Sequence, residues 1–296
     1  MRKTTLLKKL ILDKEILVMP GAHDALSAKI IEMVGFKAVT MGGYAASAAS
    51  LAKPDVSLLT LTEYVSIVRN IVEAVDLPLF VDGDTGHGNV TNVQRTVRLF
   101  ENAGAAGFFI EDQVFPKRCG HMEGKQIIPT EEMVAKIKAA VDARVDPDLV
   151  IMARTDAFAI SGLDEAIERG NRYAEAGADM IFVEAPTSRE AMLRANREIK
   201  APKLAIQIEG GKTPLLTTKE LEELGFNVVV YPNVTVYATA WALKGLWEGL
   251  KRNGSTKHWL DRIIPFNDFN TLVGLDKIRE KESYYYKDIF EKLGCK

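Results

Sequence analysis

The stretch LPLFVDGDTG, residues 77–86, runs from apolar side chains into Asp82, Asp84 and a glycine-punctuated turn. An apolar run without alternation suits a parallel strand buried on both faces. The same form recurs in ILVMPG (16–21), FKAVTMGG (36–43) and GFFIEDQ (107–113). It returns in LVIMARTDA (149–157), MIFVEAP (180–186), KLAIQIEGG (203–211) and FNVVVYP (226–232). Helical patterns stand between these runs: DALSAKIIEMVG, LTEYVSIVRNIVEAV, NVQRTVRLFENAGAAG, TEEMVAKIKAAVDAR, LDEAIERGNRYAEAGAD and TTKELEELG. Several close on glycine, which takes the left-handed conformation that ends a helix. Strand–helix alternation repeated eight times predicts an α/β fold of the (β/α)8 TIM-barrel type. An open doubly wound sheet is the competing arrangement, but it usually needs fewer strands.

In such a barrel the C-terminal strand ends form the active-site face. Asp82 and Asp84 end the third run, Glu111 and Asp112 the fourth, Arg154 and Asp156 the fifth, Glu184 the sixth, and Gln207 and Glu209 the seventh. Carboxylates far apart in sequence are therefore expected to converge. Two connections exceed a turn and a helix: YAASAASLAKPDVSLLT (44–60) and IEDQVFPKRCGHMEGK (110–125). Long loops on that face serve as lids or binding loops.

The 296 residues are 47% hydrophobic and 26% charged, with a net charge of −2, the balance of a globular chain with ample core material. Basic residues form only short pairs such as Lys8–Lys9, so no nucleic-acid partner is expected. No apolar run approaches the roughly 18 residues of a membrane span, and MRKTTLLKKLILDKEIL at the N-terminus lacks the apolar core of a signal peptide. Linkers and low-complexity tracts are absent, so residues 1–296 are expected to form a single domain. The two cysteines, Cys119 and Cys295, have neither disulfide nor metal spacing, which points to a reducing, cytoplasmic setting.

Asp82, Asp84 and Glu111 are oxygen donors with no Cys or His at ligand spacing. That set suits Mg2+ or Mn2+ held partly through water rather than zinc. DGDTGHGN also reads as a turn whose aspartates cap the next helix. Arg154, at the end of a buried strand, needs an anion. Glu184 or Asp156 would serve, and so would a substrate carboxylate gripped by the guanidinium fork. Cys119 lies between Arg118 and His121, just after Lys117. Cationic neighbours are expected to lower the thiol pKa and ready it for acid–base work. A plain surface cysteine in a flexible loop is the alternative, and the preferred reading for Cys295. GGKT (210–213) fails as a phosphate loop because Ile206 stands where its first glycine belongs. His23, in PGAHDALSA, is expected to pack near the start of the first helix. SYYYKDIFEKLG (283–294) reads as an amphipathic helix for a subunit contact.

Taken together, VDGDTGHGN, IEDQVFPKRCGHMEGK, ARTDA and IEGGKTPL resemble the isocitrate lyase / phosphoenolpyruvate mutase superfamily, from MPGAHDALSAKI to the last helix. KRCGH in a lid loop, with DGDTG upstream, is similar to the carbon–carbon lyases of that superfamily. The resemblance implies a barrel whose C-terminal segment, residues 245–296, is exchanged with a neighbouring subunit in a homodimer or homotetramer. It implies that Asp82 binds Mg2+ directly while Asp55, Asp84 and Glu111 hold the metal's waters. It places Gly42, Gly43, Tyr44, Gly120, Arg154 and Glu184 around the substrate, with Gly43 and Tyr44 offering N–H groups to a 2-oxo-acid carboxylate. Cys119 would be the acid–base on the closing lid, supported by Lys117, Arg118 and His121.

Departures from the family pattern bear on the substrate. Methylisocitrate lyases read NITEFGATPL where this chain has IQIEGGKTPL, so Ile206 replaces an asparagine. They carry arginines where Tyr237 and Phe266 fall here. Losing two cations would leave a third carboxylate unpaired. A smaller dicarboxylate is therefore expected, as in the 2,3-dimethylmalate-lyase and petal-death kinds. Cleavage of 2-methylisocitrate, oxaloacetate hydrolysis, a carboxyphosphonoenolpyruvate-type mutase and a silent metabolite-binding barrel are the alternatives.

Overall fold

The computed structural model describes residues 1–293, with side chains through residue 287; Cys295 lies outside the described residues. Each of the eight apolar runs contains one strand: β1 Leu17–Pro20, β2 Val39–Met41, β3 Leu79–Asp82, β4 Gly107–Glu111, β5 Val150–Thr155, β6 Met180–Val183, β7 Leu204–Ile206 and β8 Val228–Tyr231. All pairings are parallel, in a five-stranded sheet β2-β3-β4-β5-β6 and a three-stranded sheet β1-β8-β7. Single bridges join the two sheets at both seams, Gly21 to Thr40 and Ile181 to Lys203. The strands thus follow one another in chain order and β1 lies beside β8, the order of a (β/α)8 barrel.

Alternation along each strand builds two apolar layers. Met19, Phe80, Phe109, Met152, Phe182 and Val230 belong to the inner cluster, which Leu7 and Ile11 of the first helix, Lys3–Ile11, also join. Val39, Val81, Phe108, Ile110 and Ile151 belong to the outer layer with the helices. This double burial is why the strands read as continuous apolar runs.

The six expected helices form, within a few residues of their sequence patterns. Sequence patterning missed Lys3–Ile11, Arg189–Glu198 and Gly43–Leu51. The last lies inside what reads as a long loop after β2. Its Ala- and Ser-rich composition gives almost no amphipathic signal, yet alanine is the best helix former, and Gly43, Ala45, Ala46 and Ser47 are buried.

The chain divides into two compact units, Met1–Tyr237 and Ala238–Lys296. The first contains the strands. In the second, Trp259 is buried beside Gly245, and the Arg262 guanidinium lies 5.5 Å from the Trp259 ring centroid. Trp241, Trp247, Phe266, Tyr284 and Tyr285 of this unit are exposed. Among the described residues no helix is long and apolar enough to cross a membrane.

Candidate active site

The polar strand ends converge as expected. Asp82, the last residue of β3, accepts the Gly43 N–H at Oδ2 and the Asp84 N–H at Oδ1, both at 2.9 Å. A Cβ on Gly43 would stand 2.5 Å from the Tyr64 hydroxyl, so only glycine lets the helix start this close to the strand end. Asp84 sits at φ 49°, a left-handed conformation that aspartate tolerates better than most residues.

Lys117 is 1% exposed, with Nζ 2.8 Å from both Asp55 Oδ2 and Asp84 Oδ1. Burial opposes its charge, but Asp84, Asp82, Asp55 and Glu111 hold its pKa well above the ordinary lysine value. Burial also pushes Asp84 up to about 6, against the pull of Lys117. Arg154 grips Asp156 with one edge of its fork, Nε and Nη2 donating at 3.0 and 3.1 Å. The same guanidinium lies 3.1 Å from Glu111 Oε2 and 3.3 Å from Glu184 Oε2. Lys125 adds a second cation to Asp156 at 2.8 Å and also holds the Gly120 carbonyl. Against the burial that would raise it, Arg154 and Lys125 keep Asp156 below the usual carboxylate range. Of the two sequence readings of Arg154, internal pairing is the one formed here.

The lid runs from Gln113, bridged to Ile127, over the strand ends. Gly120 meets the Glu184 side chain so closely that any Cβ would collide with it. His121 Nε2 lies 3.2 Å from Glu184 Oε1. Beneath the lid is a cavity of about 50 Å³. Ten of the expected residues line it: Gly42, Gly43, Tyr44, Asp55, Asp82, Cys119, Gly120, His121, Arg154 and Glu184. Asp84, Glu111 and Lys117 lie outside this lining, while Arg118 is exposed and donates to the Glu123 carbonyl.

Glu111 is fully buried, neither of its carboxylate oxygens makes a hydrogen bond, and burial holds its pKa well above the usual range. Six carboxylates (Asp55, Asp82, Asp84, Glu111, Asp156 and Glu184) thus share three cations (Lys117, Lys125 and Arg154). An all-oxygen donor set with surplus negative charge fits a divalent cation. Among the described residues no three His, Cys, Asp or Glu side chains form a ready cage. The fit is therefore to a hard cation that keeps several waters, as Mg2+ does.

A family profile described as phosphoenolpyruvate phosphomutase matches residues 7–250. The chain is 52% identical over 279 residues to 2,3-dimethylmalate lyase of Eubacterium barkeri, covering 94% of this chain and 96% of that protein. A crystal structure of 2,3-dimethylmalate lyase, described as a PEP mutase/isocitrate lyase superfamily member, superposes with a TM-score of 0.91 at 32% identity over 96% of both chains. The chain belongs to the PEP mutase/isocitrate lyase superfamily. Within that superfamily it is 42% identical to 2-methylisocitrate lyase of Aeropyrum pernix, over 95% of this chain and 91% of that one. Phosphonopyruvate hydrolase, solved with oxalate and Mg2+, superposes with a TM-score of 0.88 at 30% identity, over 96% of this chain and 99% of that one. The chain is an enzyme, a carbon–carbon lyase like its dimethylmalate and methylisocitrate relatives.

One expectation about this superfamily site reverses. Burial pushes the Cys119 thiol up to about 11, with Glu184 and Asp55 adding to the rise. The cationic neighbours do not lower it, because Lys117 turns to Asp55 and Asp84 while Arg118 faces outward. The His121 backbone N–H and then Arg154 do pull the thiol pKa down, but burial outweighs them. Sequence reasoning also gave no role to Lys125, Ile208, Pro232 and Asn233. Lys125 follows His121 inside the quoted lid, but its partner Asp156 is 31 residues away. Tyr237 packs edge-on against Tyr44, ring centroids 5.9 Å apart. Phe266 is 82% exposed in the second unit.

Proposed function

We propose that the protein cleaves a small 2-hydroxy dicarboxylate, such as 2,3-dimethylmalate, to pyruvate and a short carboxylic acid in a Mg2+-dependent reaction. The observation that carries the substrate class is the cavity wall away from the carboxylates. Leu204, Ile206, Ile208, Val230 and Pro232 line it, and Arg154 is the single Arg or Lys among the lining residues. A tricarboxylate would bring a third anion against that aliphatic wall, at a cost of several kcal/mol when buried without a partner.

Asp82 would hold Mg2+, with Asp55, Asp84 and Glu111 on its waters, and the ion would supply Lewis-acid stabilisation of developing negative charge. The Tyr44 N–H would orient the 2-oxo-acid end. The Gly43 N–H and the Arg154 fork would join it by exchanging their present partners for the substrate carboxylate: Asp82 in the case of Gly43, and Glu111, Asp156 and Glu184 in that of Arg154. The C2 hydroxyl proton would pass to Glu184, which lines the cavity with Oε2 free of hydrogen bonds, and rupture of C2–C3 leaves pyruvate and a carbanion. Cys119, kept as a thiol by its burial, delivers a proton to that carbanion, giving propionate from 2,3-dimethylmalate. The resulting thiolate recovers its proton from solvent once the lid opens. The lid residues Gly120 and His121 exclude water until then.

The test is a lactate-dehydrogenase-coupled pyruvate assay with and without Mg2+, offering 2,3-dimethylmalate and 2-methylisocitrate separately. Mg2+-dependent pyruvate from dimethylmalate, lost in Asp82→Ala, is the expected result. Faster cleavage of 2-methylisocitrate would move the assignment to that lyase, and oxalate from oxaloacetate would move it to the hydrolase. No turnover of any of them would leave a mutase or a silent binding barrel.

A second copy of the chain is the proposed partner, through residues 245–296, whose exposed Trp247, Phe266, Tyr284 and Tyr285 need cover. Light scattering on the eluting protein checks this, and a monomer at micromolar concentration would refute it. The free thiol of Cys119 suits a reducing compartment, so the cytoplasm is the proposed location.

A further inference from the structure

The GGK of residues 210–212, which builds no phosphate loop, lies against the lid. The backbone N–H of Lys212 donates to His121 Nδ1 at 2.9 Å, across 91 residues of sequence. A ring nitrogen that accepts a hydrogen bond carries no proton. The imidazole proton therefore sits on Nε2, which lies 3.2 Å from Glu184 Oε1 but makes no hydrogen bond to it. One backbone amide thus sets both the tautomer and the direction of His121.

The segment that presents this amide is built for it. Gln207 is 1% exposed and spans the loop, donating from Nε2 to the Pro214 carbonyl at 3.4 Å and accepting the Leu216 N–H at 2.7 Å. Gly211 closes a turn by donating its N–H to the Ile208 carbonyl at 2.9 Å. A Cβ on Gly211 would stand 2.7 Å from His121 Nδ1, so a side chain there would push the imidazole out. The Lys212 ammonium pairs with Glu123 at the exposed rim, a contact of little energetic weight in water.

We propose that residues 208–216 are the catch of the lid. The Lys212 amide, braced by Gln207, holds the imidazole at Nδ1 and so closes the cavity over Cys119. Gln207, Gly211 and Lys212 are positioning residues: they act through His121. The consequence for turnover rests on the lyase reading, whereas closure itself does not.

The test reads closure without substrate or metal, in full-length protein carrying Cys295→Ser, so that Cys119 is the one remaining thiol. Iodoacetamide alkylation of Cys119 is timed at one pH, alongside hydrogen exchange of residues 113–126. His121→Asn keeps an acceptor near the Nδ1 position, while His121→Gln keeps a donor near Nε2 and loses that acceptor. His121→Gln and Gly211→Ala should alkylate about tenfold faster than the parent, the factor set by one net hydrogen bond, and His121→Asn should stay near the parent rate. Lys212→Pro removes the N–H independently and should match Gly211→Ala, with circular dichroism confirming the fold of each variant. A slow His121→Gln paired with a fast His121→Asn would make the Glu184 contact the catch and overturn the proposal. Parent-like rates in all four variants would overturn it as well. Absence of pyruvate release from the parent would remove the lyase reading and leave the order of alkylation rates intact.

Discussion

The reversed titration of Cys119 carries a sharp prediction. An ordinary thiol titrates near 9.0, and burial beside Glu184 and Asp55 moves this one to about 11. Two pKa units mean that the thiolate fraction at pH 8 is about 100-fold lower than for an ordinary thiol. The assay follows Cys119 alkylation from pH 7 to 11.5 in the Cys295→Ser protein, with N-acetylcysteine as reference. Lid closure slows the reaction at every pH, so the midpoint rather than the absolute rate is the readout. The expected midpoint is about 11, and Glu184→Gln should move it down by removing a charge that opposes the thiolate. The sign matters for catalysis. A group whose acid form works, and whose pKa is raised, keeps its proton through neutral and mildly alkaline pH. Turnover should lose the Cys119 contribution only as pH passes through about 11. A midpoint at or below 9 would refute the burial argument and restore the thiolate reading drawn from Lys117 and Arg118.

Other outcomes follow from the same geometry. Cys119→Ser should lower pyruvate release by roughly 10²–10⁴-fold while Mg2+ binding by calorimetry persists; near-normal turnover would remove Cys119 from the mechanism. Lys117→Met leaves Asp55 and Asp84 without their shared cation and should cost about 3–5 kcal/mol of stability, measured by urea unfolding in EDTA. Added Mg2+ should return part of that loss, and an unchanged unfolding midpoint would contradict the network. Ile206→Asn combined with Tyr237→Arg should raise kcat/KM for 2-methylisocitrate relative to 2,3-dimethylmalate by about tenfold or more, the size of a charged hydrogen bond. A ratio that does not move would show that these positions do not read the third carboxylate.

Much of the fold is legible in the sequence because a parallel strand covered on both faces must be apolar throughout. The run 77–86 and its repeats could therefore be bounded without coordinates, and each holds a strand. The placement of Asp82, Glu111, Arg154 and Glu184 followed, since a barrel gathers all C-terminal strand ends on one face. The helix Gly43–Leu51 escaped because its small residues carry no amphipathic period, although they let it pack against Asp82. What only the tertiary structure decided is the state of each charged or titratable group. Cys119 has cationic neighbours in sequence, yet Lys117 bends to Asp55 and Asp84, Arg118 turns to the Glu123 carbonyl, and burial raises the thiol pKa. Arg154 could pair with Glu184 or Asp156 or clamp a substrate as far as sequence goes, and it is shared among Glu111, Asp156 and Glu184. The Lys212 amide meets His121 across 91 residues. Periodicity reports which face of an element is dry, because burial of a strand or helix face is a property of a local run. Proton affinity and tautomer depend on desolvation and on distances of about 3 Å between segments remote in the chain, and no local pattern encodes those.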